Sequence, residues 1–263
     1  MSLKNLSVKN KIPNKYKVIF SNKKVNQIYK KFENSFKINE NFIVAVSGGA
    51  DSLALAFLTK LFSFKNNFNP KYYIVDHKLR KDSFDEALKV KKILRSLNIS
   101  SQILTVRDKK PQNSIQSFAR KKRYNLLFHE CKKFKINNLV LGHHMDDLFE
   151  NFFLRMVRGS GLKGLVSLGE KTQIKSVNLF RPLIKFDKKD LIFISNFVFN
   201  FYVDDPSNYD TKFDRIKIRS FIKQLKMIGL NKRKFQLTIE NLKRSDQTIR
   251  FYVEKNKRIN SIM

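Results

Sequence analysis

Phe42-Ile43-Val44-Ala45-Val46-Ser47-Gly48-Gly49-Ala50-Asp51-Ser52 reads as a buried strand, a tight turn and the opening of a helix. Five apolar residues in succession suit a strand covered on both faces. The turn then sends free backbone N–H groups and the positive end of a helix dipole toward one point, an arrangement that suits a pyrophosphate. Gly48 and Gly49 are expected there because a Cβ would block both the turn and the close approach of phosphate oxygens to the backbone. Ser47 and Ser52 add neutral hydroxyl donors on either side of Ala50. Asp51 cannot bind phosphate directly, so its carboxylate is read as acting through Mg²⁺ or as an N-terminal cap. Neither a Gly-Lys-Ser/Thr ending nor G-x-G-x-x-G is present, so the two commoner phosphate loops are excluded.

Outward from that turn, apolar runs of strand length recur at Phe42 to Val46, Tyr72 to Val75, Ile103 to Val106 and Leu139 to Gly142. Helical periodicity separates them, at about Asp51 to Phe62, Asp82 to Leu97, Ser114 to Phe134 and Asp146 to Arg158. Alternation of this kind predicts an α/β fold, a doubly wound parallel sheet of Rossmann-like type. Ligands in such sheets bind beyond the carboxyl ends of the strands, where Ser47, Asp76-His77 and His143-His144 all stand. A last helix of this domain is expected at Asp187 to Phe199, after a short segment that reaches Arg181-Pro182-Leu183. The expected organisation is a basic N-terminal arm over 1–40, a nucleotide-binding catalytic domain over 41–210 and a small basic helical subdomain over 211–263. From Lys212 onward there are 15 Lys or Arg against 4 acids.

Composition adds a direction. Lys and Arg number 54 against 22 Asp and Glu, a net charge of +32 in 263 residues. Such a field attracts polyanions and makes their binding salt-dependent, so nucleic acid is the expected partner. The 40 Lys against 14 Arg, with abundant Asn, Phe and Ile, also match compositional drift in a genome rich in A and T. The single Cys131 excludes an internal disulfide or a paired-cysteine metal site and points to a reducing compartment. It is read as an inert thiol. No uncharged apolar run approaches about 18 residues and no signal peptide is evident, so a cytoplasmic protein without a membrane span is expected.

Further clusters carry polar chemistry. Asp76, His77 and Arg80 end a strand with an acid, an imidazole and a cation, read as substrate-facing or as an ordinary capping turn. Gln116, Arg120 and Arg123 fall along one helical stripe, where guanidiniums suit phosphate oxygens. His143-His144-Met145-Asp146-Asp147 with Glu150 concentrates acids at a helix start. His144, Asp147 and Glu150 are candidates for holding Mg²⁺, accepting a proton or binding a cationic substrate, against ordinary dipole compensation.

The loop resembles the SGGxDS loop of the ATP pyrophosphatase (PP-loop) superfamily, of adenine nucleotide alpha hydrolase type. With Arg158-Gly159-Ser160-Gly161-Leu162-Lys163-Gly164-Leu165 the resemblance becomes specific. SGGxDS, V-D-H-x-L-R, A-R-x-x-R-Y, H-H-x-D-D-x-x-E and R-G-S-G-L-x-G-L occur here in the order found in the tRNA(Ile)-lysidine synthase family. Arg181-Pro182-Leu183, Asp205-Pro206-Ser207-Asn208 and the cluster from Arg215 to Arg219 fit its later segments, although the family often reads R-N-R-I-R where this chain has Arg215-Ile216-Lys217-Ile218-Arg219. The resemblance implies a tRNA-processing ligase that attaches L-lysine to C2 of the wobble cytidine of an isoleucine tRNA with a CAU anticodon. An adenylated tRNA is the implied intermediate and lysidine the product. It implies ATP at Ser47, Gly48, Gly49, Ala50, Asp51 and Ser52, with Mg²⁺ near Asp51, and catalytic roles for Asp51, Arg120, Arg123, His144, Asp147 and Glu150. Substrate and tRNA contacts would come from Asp76, His77, Arg80, Arg158, Gly159, Ser160, Gly161, Lys163, Arg215 and Arg219. Rival readings are a PP-loop tRNA thiolase, which would ordinarily bring paired cysteines, and an RNA-binding homologue without turnover.

Overall fold

The computed structural model describes residues 12–80, 82–108, 111–112, 114–204 and 214–260, the side chains of residues 214 and 215 excepted. Two compact units emerge, one from the described residues of Met1–His144 and Glu170–Asp205, the other from those of Met145–Gly169 and Pro206–Met263. The first unit contains α1 (Asn14–Ser21), α2 (Lys23–Ser35), β1 (Ile43–Val46), α3 (Ala50–Asn66), β2 (Lys71–Asp76), α4 (Ser83–Arg95), β3 (Ser101–Thr105), α5 (Ile115–Phe134) and β4 (Asn138–Val140). The chain then passes through α6 (Met145–Val157) and the short α7 (Leu162–Leu165) of the second unit. It returns for β5 (Lys171–Ile174), β6 (Val177–Phe180) and α8 (Lys188–Phe199), and ends in α9 (Asp214–Met227) and α10 (Lys232–Asn260) of the second unit.

The sheet runs β3-β2-β1-β4-β6-β5. β3, β2, β1, β4 and β6 are mutually parallel, and β5 pairs antiparallel with β6. The doubly wound architecture therefore holds, with one antiparallel edge strand added to the parallel sheet. Order reverses between β1 and β4, so the switch point lies beside Ser47 and residues 141–144. Ile43 and Val44 of β1 and Leu139 and Val140 of β4 are fully buried, as a sheet covered on both faces requires. α3 is buried on nearly every side, and its polar Thr59 and Ser63 return their hydroxyls to the carbonyls of Leu55 and Lys60. Both groups are thereby satisfied without water.

Two parts depart from the sequence expectation. Residues 14–35, expected within a loose basic arm, fold as α1 and α2, whose Tyr16, Val25, Ile28, Tyr29 and Phe32 lie in the main core. Residues 1–11 of that arm lie outside the described residues. The segment at 145–169, expected within the catalytic domain, packs in the second unit. There Phe149 of α6 stacks on Phe235 of α10 at 3.8 Å between centroids, and Phe153 meets Phe221 of α9 edge-on at 5.6 Å. Among the described residues no helix is long and apolar enough to cross a membrane.

Candidate active site

β1 delivers Ser47 to the carboxyl edge of the sheet, and the chain turns at Gly48 with φ of +88°. A Cβ on Gly48 would lie 2.6 Å from Val90 Cγ2 and 3.1 Å from Val203 Cγ2. Handedness and packing thus exclude a side chain at Gly48, which corrects the expectation that ligand approach does so there. Gly49 differs, since a Cβ on it would meet nothing closer than 3.8 Å and its φ of −66° suits any residue. The argument from close ligand approach therefore rests on Gly49. Ser52 Oγ knits the turn, accepting from the Ser47 N–H and the Ser47 hydroxyl, each at 3.1 Å, and donating to the Gly49 carbonyl at 2.9 Å. The N–H groups of Gly49, Ala50 and Asp51 make no hydrogen bond to a described residue, as befits the first turn of α3.

Asp51 stands at the mouth of this turn. Its Oδ2 lies 3.4 Å from Nε2 of the buried His144, an ion pair when the imidazole is protonated. Its Oδ1 is shielded from solvent and has no hydrogen-bond partner among the described residues. Gly142 makes the pairing possible, because a Cβ there would come within 3.3 Å of Ser52 Cα and 3.4 Å of the Asp51 carbonyl. The chain after β4 can therefore run against the start of α3. No group of three or more metal-ligating side chains occurs among the described residues. A buried acidic oxygen lacking a donor fits Mg²⁺, which is commonly held by one or two carboxylates plus phosphate oxygens and water.

On β2, Asp76 is 2 % exposed, and its Oδ1 accepts from the Lys78 N–H at 2.9 Å and the Ser83 hydroxyl at 2.8 Å. That oxygen ties the strand end to the start of α4, a structural use of the residue read as substrate-facing. Arg80 pairs with Glu86 at 2.8 Å. His77 is held neutral, its pKa lowered by burial and then by the charge of Arg123, against the opposing pull of Asp76. Along α5, the guanidiniums of Arg120 and Arg123 lie 5.1 and 5.7 Å from the Tyr124 ring centroid. Arg181, 3 % exposed, donates to Thr172 Oγ1 at 2.9 Å. Burial lowers its pKa, with the Tyr124 hydroxyl opposing and Arg120 reinforcing that shift. Arg120, Arg123 and Arg181 form a cationic and aromatic wall around Tyr124, with the neutral His77 beside Arg123, suited to an anion or a flat base.

In the second unit, Glu150 of α6 is 5 % exposed, and its Oε1 accepts from Arg219 Nε of α9 at 2.6 Å. Burial depresses the Arg219 pKa, but the bond to Glu150 and the charges of Glu150, Asp147 and Asp146 outweigh it and leave the pKa raised. Arg219, read as a tRNA contact, thus fixes a carboxylate. Arg219→Ala is expected to destabilise the second unit by about 2 kcal/mol, less than a fully buried pair because its side chain is 37 % exposed. Equal urea midpoints for the variant and the parent would refute that. Arg158 and Lys163 are exposed around the turn at Gly159 and Gly161. A Cβ on Gly164 would strike Ser160 Cβ at 2.8 Å, so the turn closes tightly on itself. The Arg215 side chain and residues 205–208 lie outside the described residues.

Cys131 is 1 % exposed, and burial followed by the charge of Glu130 pushes its thiol up to about 11. No appreciable thiolate exists near neutral pH. Cys131→Ser is expected to leave activity per folded molecule unchanged and to cost about 1 kcal/mol of stability, read from steady-state rates and thermal melts. Complete loss of activity in a folded variant would reopen sulfur chemistry.

Gly142, Arg181, Ser195 and Val203 escaped the reading of motifs as site residues. Ser195 Oγ donates to the Ala50 carbonyl at 2.6 Å, and the Val203 N–H donates to the Gly48 carbonyl at 3.0 Å. A serine on the apolar face of Leu191-Ile192-Phe193-Ile194-Ser195 was the available signal for the first of these.

The chain is 36 % identical over 210 residues to tRNA(Ile)-lysidine synthase of Orientia tsutsugamushi (strain Boryong), covering 80 % of this chain and 46 % of that protein. It is 34 % identical over 229 residues to the enzyme of the same name from Rickettsia akari (strain Hartford), covering 83 % of this chain and 51 % of that one. It therefore spans about half the length of these curated relatives. Among solved structures, the U34-tRNA thiolase NcsA from Methanococcus maripaludis with its [4Fe-4S] cluster superposes with a TM-score of 0.68 at 18 % identity, over 82 % of this chain and 79 % of that one, which establishes likeness of fold. The PP-loop domain model matches residues 19–226, a span holding the Ser47–Ser52 turn, Asp51 beside His144 and the Glu150–Arg219 pair, and the chain belongs to the PP-loop domain family.

Proposed function

We propose that this chain uses ATP to join L-lysine to C2 of the wobble cytidine of an isoleucine tRNA bearing a CAU anticodon, forming lysidine. The observation that carries the reading is the Ser47–Ser52 turn, with three uncommitted amides and the shielded Oδ1 of Asp51, at the switch point of the sheet. The substrate class comes from the likeness to curated tRNA(Ile)-lysidine synthases.

In the first step the cytosine O2 attacks the α-phosphorus of ATP, and the bond to the β-phosphate oxygen breaks, releasing pyrophosphate. The amides of Gly49, Ala50 and Asp51 and the positive end of α3 bind the negative charge that builds on the departing oxygens. Asp51 would hold Mg²⁺, which would supply further neutralisation of charge there. Arg120 and Arg123 bind phosphate oxygens or the activated base, with Arg181 fixed beside them. In the second step the lysine ε-amine attacks C2, and AMP leaves with the former O2. The amine, with a reference pKa of about 10.4, must first shed a proton. His144, Asp147 and Glu150 are the candidates for orienting and deprotonating it, Glu150 being itself held by Arg219. His77 is the substrate-facing candidate at the end of β2, while Asp76 ties that strand to α4 and Arg80 is paired with Glu86. Gly159, Ser160 and Gly161 shape the turn that presents Arg158 and Lys163, which with Arg215 and the other basic residues of α9 and α10 engage phosphates of the RNA, contacts that position without specifying sequence, while Arg219 is committed to Glu150.

A thiolase would need a second thiol that this sequence lacks, and Cys131 is buried and protonated. An RNA-binding homologue without turnover would catalyse no ATP–pyrophosphate exchange. The decisive experiment incubates the pure protein with ATP, labelled lysine and total tRNA and identifies the modified nucleoside. Label is expected in lysidine of the CAU isoleucine tRNA, with AMP formed only when tRNA is present. AMP production independent of tRNA, or tRNA left unlabelled, would overturn the assignment.

A further inference from the structure

The turn that faces the nucleotide is anchored from behind. A trans peptide is planar, and its carbonyl and N–H point in opposite directions. Fixing the carbonyl therefore aims the N–H of the next residue the other way. The Val203 N–H holds the Gly48 carbonyl at 3.0 Å, and the N–H of that peptide belongs to Gly49. Ser195 Oγ holds the Ala50 carbonyl at 2.6 Å, and the N–H of that peptide belongs to Asp51. Both amides so aimed make no bond to a described residue. Ser195 is 0 % exposed, so water cannot replace its hydroxyl. Gly48 is also backed by side chains, since Val90 and Val203 occupy the space a Cβ would need.

We propose that Ser195 is a positioning residue for nucleotide binding: its hydroxyl, together with the Val203 amide, clamps the rear of the Ser47–Ser52 turn so that the Gly49 and Asp51 amides face the phosphates. The role rests on the reading of this turn as the ATP site and is independent of which acceptor follows. Preorganised donors bind developing charge more strongly than donors that must reorient, so loosening the Ala50 peptide weakens ATP affinity without touching the lysine or tRNA contacts.

The test measures ATP binding to the full chain with Mg²⁺, without tRNA or lysine, for the parent, Ser195→Ala, Ser195→Thr and Ile194→Val. Ile194 is equally buried on the same helix but makes none of these bonds. Ser195→Ala is expected to raise the Kd for ATP on the order of tenfold, the loss of one buried hydrogen bond. Ser195→Thr, which keeps the hydroxyl, is expected to recover most of that affinity. Ile194→Val is expected to lower the melting temperature by about 4 °C while leaving the ATP Kd within a factor of about two. In turnover the Ser195→Ala loss falls on KM for ATP and leaves KM for lysine unchanged. Should Ser195→Ala fail to fold, Ser195→Cys, a weaker donor of similar size, carries the same expectation. Unaltered ATP affinity in folded Ser195→Ala or Ser195→Cys, or equal loss in Ile194→Val, would overturn the clamp. A parent protein that binds no ATP at all would instead sink the nucleotide reading, and the clamp with it.

Discussion

Asp51→Ala is expected to lower turnover at saturating ATP by about a thousandfold while leaving the melting temperature and tRNA affinity near those of the parent. The residue sits in the first turn of α3, where an acid contributes only a few tenths of a kcal/mol through the helix dipole. Its Oδ1 makes no internal hydrogen bond, so truncation breaks nothing that stabilises the fold on that side. What disappears is the carboxylate beside His144 at the mouth of the turn. Single-turnover assays with the CAU isoleucine tRNA, read for pyrophosphate release, locate the defect in the first chemical step. A variant within tenfold of the parent rate would remove Asp51 from the mechanism.

The second large effect separates the paired glycines. Gly48→Ala is expected to destabilise the protein by about 3 kcal/mol, combining a left-handed backbone at φ +88° with a contact of 2.6 Å to Val90. Gly49→Ala is expected to change stability by less than about 0.5 kcal/mol, because its backbone is ordinary and its Cβ direction is open. Its effect falls on ATP, whose phosphates must approach that open side. Denaturant midpoints and ATP titrations of the two variants check both halves. If the two lose stability equally, the packing role of Gly48 is wrong. If Gly49→Ala binds ATP as tightly as the parent, the phosphates lie elsewhere.

The readable parts of the fold were those where one physical signal dominates. β1 announces itself as an unbroken apolar run, and β4 by Leu139 and Val140 after a buried Asn138, because a sheet covered on both faces tolerates little else. β5 gives no such signal. Lys171-Thr172-Gln173-Ile174 is polar, as an edge strand is, and its hairpin turns through Lys175 at φ +54° without the usual glycine or asparagine. In α2 the helical spacing of Val25, Ile28, Tyr29 and Phe32 lies under a dense coat of lysines, so charge concealed a core helix. At the site, the sequence named Asp51 and His144 separately, and only the close approach at Gly142 joins them. Glu150 and Arg219 were named for different tasks, and their contact depends on α9 packing against α6, which no local pattern encodes. Ser195 and Val203 act through backbone carbonyls and so leave no motif.

The second unit is assembled from stretches that leave the ribosome at different times. α6 emerges early, yet Phe149, Phe152 and Phe153 find their partners Phe221 and Phe235 only after β5, β6 and α8 have been made and α9 and α10 follow. Closing so long a loop is entropically expensive and slow compared with forming a local helical hairpin. Throughout that interval three phenylalanines of α6 lack the partners that bury them in the second unit. A nascent chain stalled before Phe235 is therefore a sticky species, and chaperone capture would fall on α6 rather than on the nucleotide-binding edge.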